Sequence, residues 1–527
     1  WTAAVFRLRR YLTTPRANVR LKIRLNIIHA RGITLNVLLI CPKPKISTRT
    51  DSAPLGILSI ATYLKEKGHN VRFIDREVYP YNVDKIIREF QPALVGIAVM
   101  STKAIPDALA ISEKARYLKI PVVWGGTFTS LIAELVLKSG KVDFVAIGEG
   151  EVTMLELIGS LSGAMPLDKV DGLAFIKDGK IIYNNPREFA DLADFPIIDW
   201  SLVDPEKYFR AYFGCKKMIY LYGSKGCPGQ CTFCMNKEYH RCTYRKRPMA
   251  YVLKEIEYLV TNCGLDGVYF SDENCCGTRR EMHDFCDSIK ATGLHFVWGC
   301  QTRINGFLEE DFKYMYDAGC RWIYFGIESG SKERLAAVKK GIAYDKIMET
   351  VTNCYNAGIV AISGFIIGFP DEDEQELRQT IELAKKMPFT MWAFHHFIPV
   401  PGSELYYSLI ADGKYELPSD LSEMTRISPA DKIIKNFSKI PTKELNVVWS
   451  YFMISTFARK RTDKSAKPFS FAIKIVKEQL SDIAKGGLAA FFINFVKTAN
   501  VFLTYLYYYF CFPKIRKKYG LYSNAKD

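Results

Sequence analysis

From about residue 34 to about residue 430 the chain alternates short apolar runs with amphipathic stretches, and this rhythm narrows the fold more than any other feature. Strands alternating with crossover helices build parallel sheets whose two faces are both covered. Runs at 35–41, 71–75, 93–100, 121–124 and 143–147, with helical spacing at 56–67, 106–118 and 130–139, predict an α/β, doubly wound, Rossmann-like (flavodoxin-like) domain over 34–164. Residues 165–214 read as a connector with a hairpin turning at Asp178-Gly179. The alternation resumes with strands near 219–223, 267–271, 296–300, 322–327, 362–367 and 394–398. Six such units over 215–430 predict a partial parallel (β/α)6 barrel, whose chemistry belongs at the carboxyl ends of its strands. Residues 1–33 form a basic N-terminal extension, and 431–527 a basic, aromatic, mostly helical C-terminal region.

Hydrophobic residues make up 48% and charged residues 24% of the 527, the mix of a folded globular chain. The net charge of +16 is unevenly placed. Residues 1–33 carry eight Lys or Arg and no acid, and 431–527 carry 18 basic against 6 acidic side chains, so the middle is slightly acidic. A nucleic-acid enzyme gathers basic charge around its cleft. The expectation is therefore no nucleic-acid partner, and terminal extensions suited to an anionic membrane surface. The fourteen cysteines mostly stand alone in apolar or helical contexts, unlike a secreted disulfide framework. With no leader-like apolar stretch among the first residues, the expected location is cytoplasmic, with peripheral attachment at the inner face of the membrane.

Three cysteines differ from the rest. Between the first barrel strand and the next helix, Cys227, Cys231 and Cys234 are spaced Cys-x3-Cys-x2-Cys in one tight loop. Three thiolates can hold three irons of a 4Fe–4S cluster and leave the fourth iron open to a small molecule. The competing readings are a zinc site completed by His240, or coincidence.

This segment resembles the signature of radical S-adenosylmethionine (SAM) enzymes, and the preceding domain resembles the cobalamin-binding domain that some of them carry. The resemblance spans about 34–430. It implies that Cys227, Cys231 and Cys234 are the catalytic, metal-binding residues, that the open iron chelates SAM, and that reductive cleavage yields a 5′-deoxyadenosyl radical. Gly319–Gly330 resembles the family strand ending in Gly-Ile-Glu-Ser, which implies that Glu328 and Ser329 face the methionyl group. Residues 364–370 resemble the fifth-strand motif, with Gly368 letting backbone approach the adenine, and Pro399-Val-Pro-Gly402-Ser resembles the closing Pro-x-Pro-Gly-Thr. Phe233 and Asn236 are expected to contact the nucleoside, and Arg303, at the third strand's end, to reach the SAM carboxylate. Asp272-Glu273-Asn274 stands at the site's mouth. Cys275-Cys276 read as packing residues.

In the first domain a ligand is expected at the carboxyl ends of the strands. These read Ser101-Thr102, Gly125-Gly126-Thr127 and Gly148-Glu149-Gly150, with Leu55-Gly56 opening the first helix. Small residues there admit a flat macrocycle, and the positions match the family's cobalamin site. The Asp-x-His-x-x-Gly motif that supplies a histidine below cobalt elsewhere is missing, as in radical SAM relatives. The resemblance implies a cobalamin-dependent enzyme that methylates an unactivated carbon. The rivals are a radical SAM oxidative cyclase or carbon–carbon coupling enzyme acting on a porphyrin, terpenoid or membrane lipid, and a non-catalytic cobalamin or iron–sulfur sensor. A reducing partner such as flavodoxin or ferredoxin is implied. Residues 486–512 hold a single charge, Lys497, in 27 positions. A lysine near the centre of a span costs about 2.5–3.5 kcal/mol, so an in-plane or protein-packed helix is expected, flanked by the basic cluster 514–518. This motivates a lipid-like or otherwise apolar small-molecule substrate.

Overall fold

The computed structural model describes residues 34–44, 53–304, 307–388, 391–426, 435–458 and 506–521. The basic extension 1–33 and most of 486–512 lie outside the described residues.

The first sheet contains β1 (Asn36–Cys41), β2 (Asn70–Asp75), β3 (Leu94–Ala98), β4 (Val122–Gly125), β5 (Phe144–Ala146), β6 (Leu173–Lys177) and β7 (Lys180–Tyr183), in the order β2-β1-β3-β4-β5-β6-β7. The first five pair in parallel. β1 shows why its sequence is continuously apolar. Leu39 packs with Leu58 of helix Leu55–Glu66 on one face, while Leu38 and Ile40 join Ile86 and Ile111 on the other. The predicted helix over 130–139 is two shorter ones, Thr127–Leu131 and Ala133–Lys138, interrupted at Ile132. The hairpin assigned to a connector is part of this sheet. Asp178 and Gly179 both take positive φ, as a tight two-residue turn requires, and β6 pairs antiparallel with β5.

The second sheet follows chain order: β8 (Met218–Leu221), β11 (Gly267–Phe270), β12 (Val297–Thr302), β13 (Cys320–Glu328), β14 (Val360–Ile367) and β15 (Met391–His396), all parallel. The small pair β9 (Ser224–Lys225) and β10 (Arg245–Lys246) flanks the cysteine loop. On β13, Ile323, Phe325 and Ile327 face the surrounding helices, whereas Trp322 packs on the other face with Tyr220, Tyr269 and Ile362.

Helix Thr442–Ala458 covers β15, which would otherwise be an open edge. Trp449 Nε1 donates to the Phe394 carbonyl at 2.9 Å and Phe452 stacks on Phe394 at 4.0 Å. Helix Pro513–Lys518 is pinned here too: Lys518 bridges Glu374 and Glu444, and Leu521 is buried. Part of the predicted membrane-facing basic cluster is therefore folded onto the barrel. Helix Leu421–Arg426 returns to the first domain and inserts Leu421 and Met424 into its core beside Ile105 and Ala108. No helix among the described residues is long and apolar enough to cross a membrane.

Candidate active site

The loop bearing the three cysteines starts at Gly226, with φ +86°. A Cβ there would fall 2.3 Å from the Thr243 carbonyl oxygen, so only glycine fits. Cys227 and Cys231 are buried and Cys234 partly so. Each sulfur has an N–H donor: Gly229 N–H to Cys227 Sγ at 3.4 Å, Arg303 Nη1 to Cys231 Sγ at 3.5 Å, and Asn236 N–H to Cys234 Sγ at 3.4 Å. Burial pushes the Cys234 thiol up to about 11; the Asn236 N–H pulls it back, while neighbouring Cys231 and Cys227 add to the rise. All fourteen cysteines are free thiols. His240 turns to Glu273 (Nε2–Oε1 3.3 Å), and no three His, Cys, Asp or Glu side chains among the described residues form a single-ion site. His240, the donor the zinc alternative calls on, thus has its Nε2 on Glu273.

The carboxyl end of β11 holds this loop in place. Asp272 accepts from the Gly223 N–H at 2.9 Å and the Ser224 hydroxyl at 2.5 Å. Glu273 accepts from the Gly226 N–H at 2.9 Å, and Asn274 accepts from the Arg303 N–H at 3.1 Å. Asn236 is buried; its amide donates to the Cys227 carbonyl at 2.6 Å, while its Oδ1 has no protein partner. Phe233 packs edge-on against Phe369, one residue beyond Gly368, whose φ is +80°. The N–H groups of Gly368 and Phe369 are both held by buried Glu372.

Glu328 and Ser329 part company. The register slips between Gly326 and Glu328, and Glu328 takes φ +73°. The Glu328 carboxylate accepts from Lys340 Nζ at 2.6 Å. Ser329 is fully buried, its hydroxyl 3.3 Å from Thr380 and accepting from the Ser331 N–H. The next residue, Gly330, lies against the backbone of Gln379 and Thr380. Close packing on helix Glu374–Lys386 thus turns Ser329 inward, against the expectation that it faces SAM.

At the carboxyl edge of the first sheet, a Cβ on Gly56 or Gly148 would meet nothing within 4 Å. Gly126 has φ +108° and sits against Met100, which is largely exposed; Ser101 is exposed as well, and Thr102 is buried. Gly125 and Thr127 border the same edge, and Leu55 lies partly buried at the helix start. Gly150 abuts Ile60. Glu149 does something other than predicted. It is gripped by Arg245 (2.6 Å) and Lys225 (3.3 Å), the residues of β10 and β9 that flank the cysteine loop. Burial opposes ionisation of Glu149, but Lys225 and Arg245 hold its carboxyl below the usual range. Lys225 also reaches Glu151, which accepts from Ser59. Tyr239 donates to the Gly148 carbonyl at 3.2 Å and hydrogen-bonds Thr127. Gly402 of the closing Pro-x-Pro-Gly segment packs on Leu131. The two carboxyl edges are therefore locked together.

Comparison with known proteins fits this two-part site. Residues 221–384 match the Radical SAM superfamily and residues 45–158 the B12 binding domain. An uncharacterized methyltransferase of Pyrococcus horikoshii is 31% identical over 417 residues, covering 77% of this chain and 89% of its own. The chain belongs to the B12-binding radical SAM enzymes. The anaerobic magnesium-protoporphyrin IX monomethyl ester cyclase of Synechocystis is 28% identical, covering 65% of this chain and 70% of that one. The radical SAM methyltransferase TsrM from Kitasatospora setae, solved with cobalamin and a 4Fe–4S cluster bound, shares the fold at a TM-score of 0.60 and 18% identity, over 73% of this chain and 76% of that one.

The family's cofactors are SAM, a 4Fe–4S cluster and cobalamin, and this radical SAM enzyme has residues that fit them. Three sulfurs each with an N–H donor suit thiolates on separate irons. The orphan Asn236 Oδ1 suits a polar ligand, and the glycine backbone at the first sheet's edge leaves room for a flat group. Lys225, Tyr239, Arg245 and Lys340 carry no motif, and sequence reasoning missed them. Two isolated lysines and an arginine amid other basic residues give no signal until the fold supplies their acidic partners.

Asp272 gives a pH-dependent test. Burial pushes its carboxyl up to about 7, against hydrogen bonds from Ser224 and Gly223 that lower it. Because the folded value lies above the unfolded one, the associated stability is full below the ordinary carboxylate range and is lost as pH rises toward about 7. Asp272→Asn retains an acceptor for Gly223 and offers a donor to Ser224. It should gain on the parent in thermal midpoint between pH 5 and pH 8; a pH-independent difference would contradict this account.

Proposed function

We propose that this enzyme transfers a methyl group to an unactivated carbon of an apolar small molecule. The observation that supports this best is the lock between the cysteine loop and the cobalamin edge, Lys225 and Arg245 on Glu149 with Tyr239 on Gly148. A substrate held between those edges lies within reach of both cofactors. When bound, the cluster and SAM supply a radical that removes hydrogen from carbon, and cobalamin carries a methyl group. The chain's own part is positioning. Cys227, Cys231 and Cys234 hold the cluster, Asp272 and Glu273 fix their loop, and Asn274 fixes the backbone of Arg303. Phe233, Asn236, Glu328 and Gly368 shape the SAM site, with Glu328 oriented by Lys340. Leu55, Gly56, Ser101, Thr102, Gly125, Gly126, Thr127, Gly148 and Gly150 form the bed for cobalamin. A low-potential one-electron donor such as flavodoxin or ferredoxin supplies the electron.

The test uses protein purified without oxygen, loaded with iron, sulfide and cobalamin, reduced, and given SAM with a deuterated methyl group. Methylation yields both 5′-deoxyadenosine and S-adenosylhomocysteine, and a product heavier by one labelled methyl group in place of hydrogen. The Synechocystis relative favours a second reading, oxidative cyclisation. That outcome would give 5′-deoxyadenosine alone and a product that has lost hydrogens. The apolar substrate draws on the aromatic tail, of which Tyr507 and Phe510 are exposed beside Lys514 and Lys517. Sedimentation with vesicles of anionic phospholipid should carry the protein down, and indifference to them would remove that support.

A further inference from the structure

Arg303 sits at the carboxyl end of β12, a position from which the sequence suggested contact with the SAM carboxylate. Its guanidinium is directed elsewhere. Nη1 lies 3.5 Å from Cys231 Sγ, Nη2 donates to the Lys340 carbonyl, and the backbone N–H is fixed by Asn274 Oδ1 at 3.1 Å. Gly229 makes the space: a Cβ there would fall 2.7 Å from Arg303 Nη1 and 3.3 Å from Cys227 Sγ. The guanidinium therefore lies in the crook of the cysteine loop, close to two of its three sulfurs.

A half-buried cation is normally met by a carboxylate, yet among the described residues no Asp or Glu pairs with Arg303. The other nearby cation, Lys340, is matched by Glu328 at 2.6 Å. The uncompensated positive charge beside the cysteines is thus that of Arg303. Its natural counter-charge is the set of thiolates and the cluster they carry. Hydrogen bonds to ligand sulfurs and nearby charge are among the levers that set a cluster's potential.

We propose that Arg303 acts on the iron–sulfur cluster through Cys231, stabilising its reduced state by hydrogen bond and charge, rather than serving as a SAM ligand. One electron from an external low-potential donor enters the cluster and makes it more negative by one unit. Arg303 stays protonated throughout, so no proton moves. This rests on reading Cys227, Cys231 and Cys234 as cluster ligands.

The test measures the full-length protein, reconstituted with iron and sulfide, in a mediated redox titration without SAM, followed by the electron paramagnetic resonance of the reduced cluster. Iron content is measured on every sample. Arg303→Gln should retain iron and shift the reduced-to-oxidised ratio at fixed potential about tenfold toward oxidised, which for a one-electron couple is about 59 mV. Arg303→Lys, which retains charge, should shift it less. Gly229→Ala, which pushes Nη1 aside with the charge still present, should move it in the same direction as Arg303→Gln. An unchanged potential in Arg303→Gln with weakened SAM binding would make Arg303 a SAM ligand and overturn the proposal. Equal loss of iron from Arg303→Gln and Arg303→Lys would make it a structural anchor and overturn it too. A parent protein that takes up no iron would instead overturn the cluster reading itself, and the proposal with it.

Discussion

Alanine at Cys234 should abolish reductive cleavage of SAM while leaving the fold intact. The cysteines of this loop contribute little apolar packing, because their sulfurs are occupied by N–H donors from Gly229, Asn236 and Arg303. The loop's shape comes instead from Asp272 and Glu273, just past β11, and these remain. What disappears is one of the three thiolates proposed to hold separate irons. The measurement is 5′-deoxyadenosine formed by the reduced protein, with iron content and circular dichroism as controls. Native dichroism with no 5′-deoxyadenosine is the expected pair. Undiminished cleavage would remove Cys234 from the ligand set.

Lys225→Met should carry the second large effect, and in a different quantity. Lys225 is the cation shared by Glu149 and Glu151, both nearly buried, at 3.3 and 3.7 Å. Methionine fills the same volume but leaves two acidic groups facing each other with Arg245 as the remaining cation. Breaking a buried pair by removing one partner typically costs about 3–5 kcal/mol. Adding Glu149→Gln to this variant should recover part of the loss, because one uncompensated charge goes with it. The pH sign is opposite to that of Asp272. The Glu149 carboxyl is held below its ordinary range, so its stabilisation is present at neutral pH and is lost as pH falls through the depressed value. Thermal midpoints at pH 7 and pH 4 should show the parent losing more than Lys225→Met. Because the residue joins the two carboxyl edges, SAM cleavage should continue in the variant while methyl transfer falls further than cleavage does.

The strands were legible because a parallel strand buried on both faces must be apolar throughout, as Val37–Ile40 are. The cysteine loop stood out because three thiols so closely spaced must share one loop, and they do, each with an N–H donor. Other features carry no local signal. The turn at Asp178-Gly179 announces a hairpin, but nothing in it says that β6 will pair with β5. Ser329 was expected beside Glu328 at the opening because the resemblance set both on the methionyl group, but its burial against Thr380, 51 positions further along the chain, depends on helix Glu374–Lys386. Glu149 was assigned to the macrocycle because it stands at a strand end; its partner Arg245 is 96 positions away, across the domain boundary. Arg303 was placed correctly at a strand end, but its direction depends on the space left by Gly229.

Helix Leu421–Arg426 follows the barrel in sequence yet finishes the core of the domain that precedes it. The chain is in this sense buckled: the cobalamin lobe is incomplete until the last of the barrel has been synthesised. Excising either lobe would leave a greasy scar, at Ile105 and Ala108 on one piece and at Leu421 and Met424 on the other. The ion lock and this return helix fasten the two lobes at separate places. Parting the lobes would cost both the ion pairs on Glu149 and the apolar contact of Leu421 and Met424.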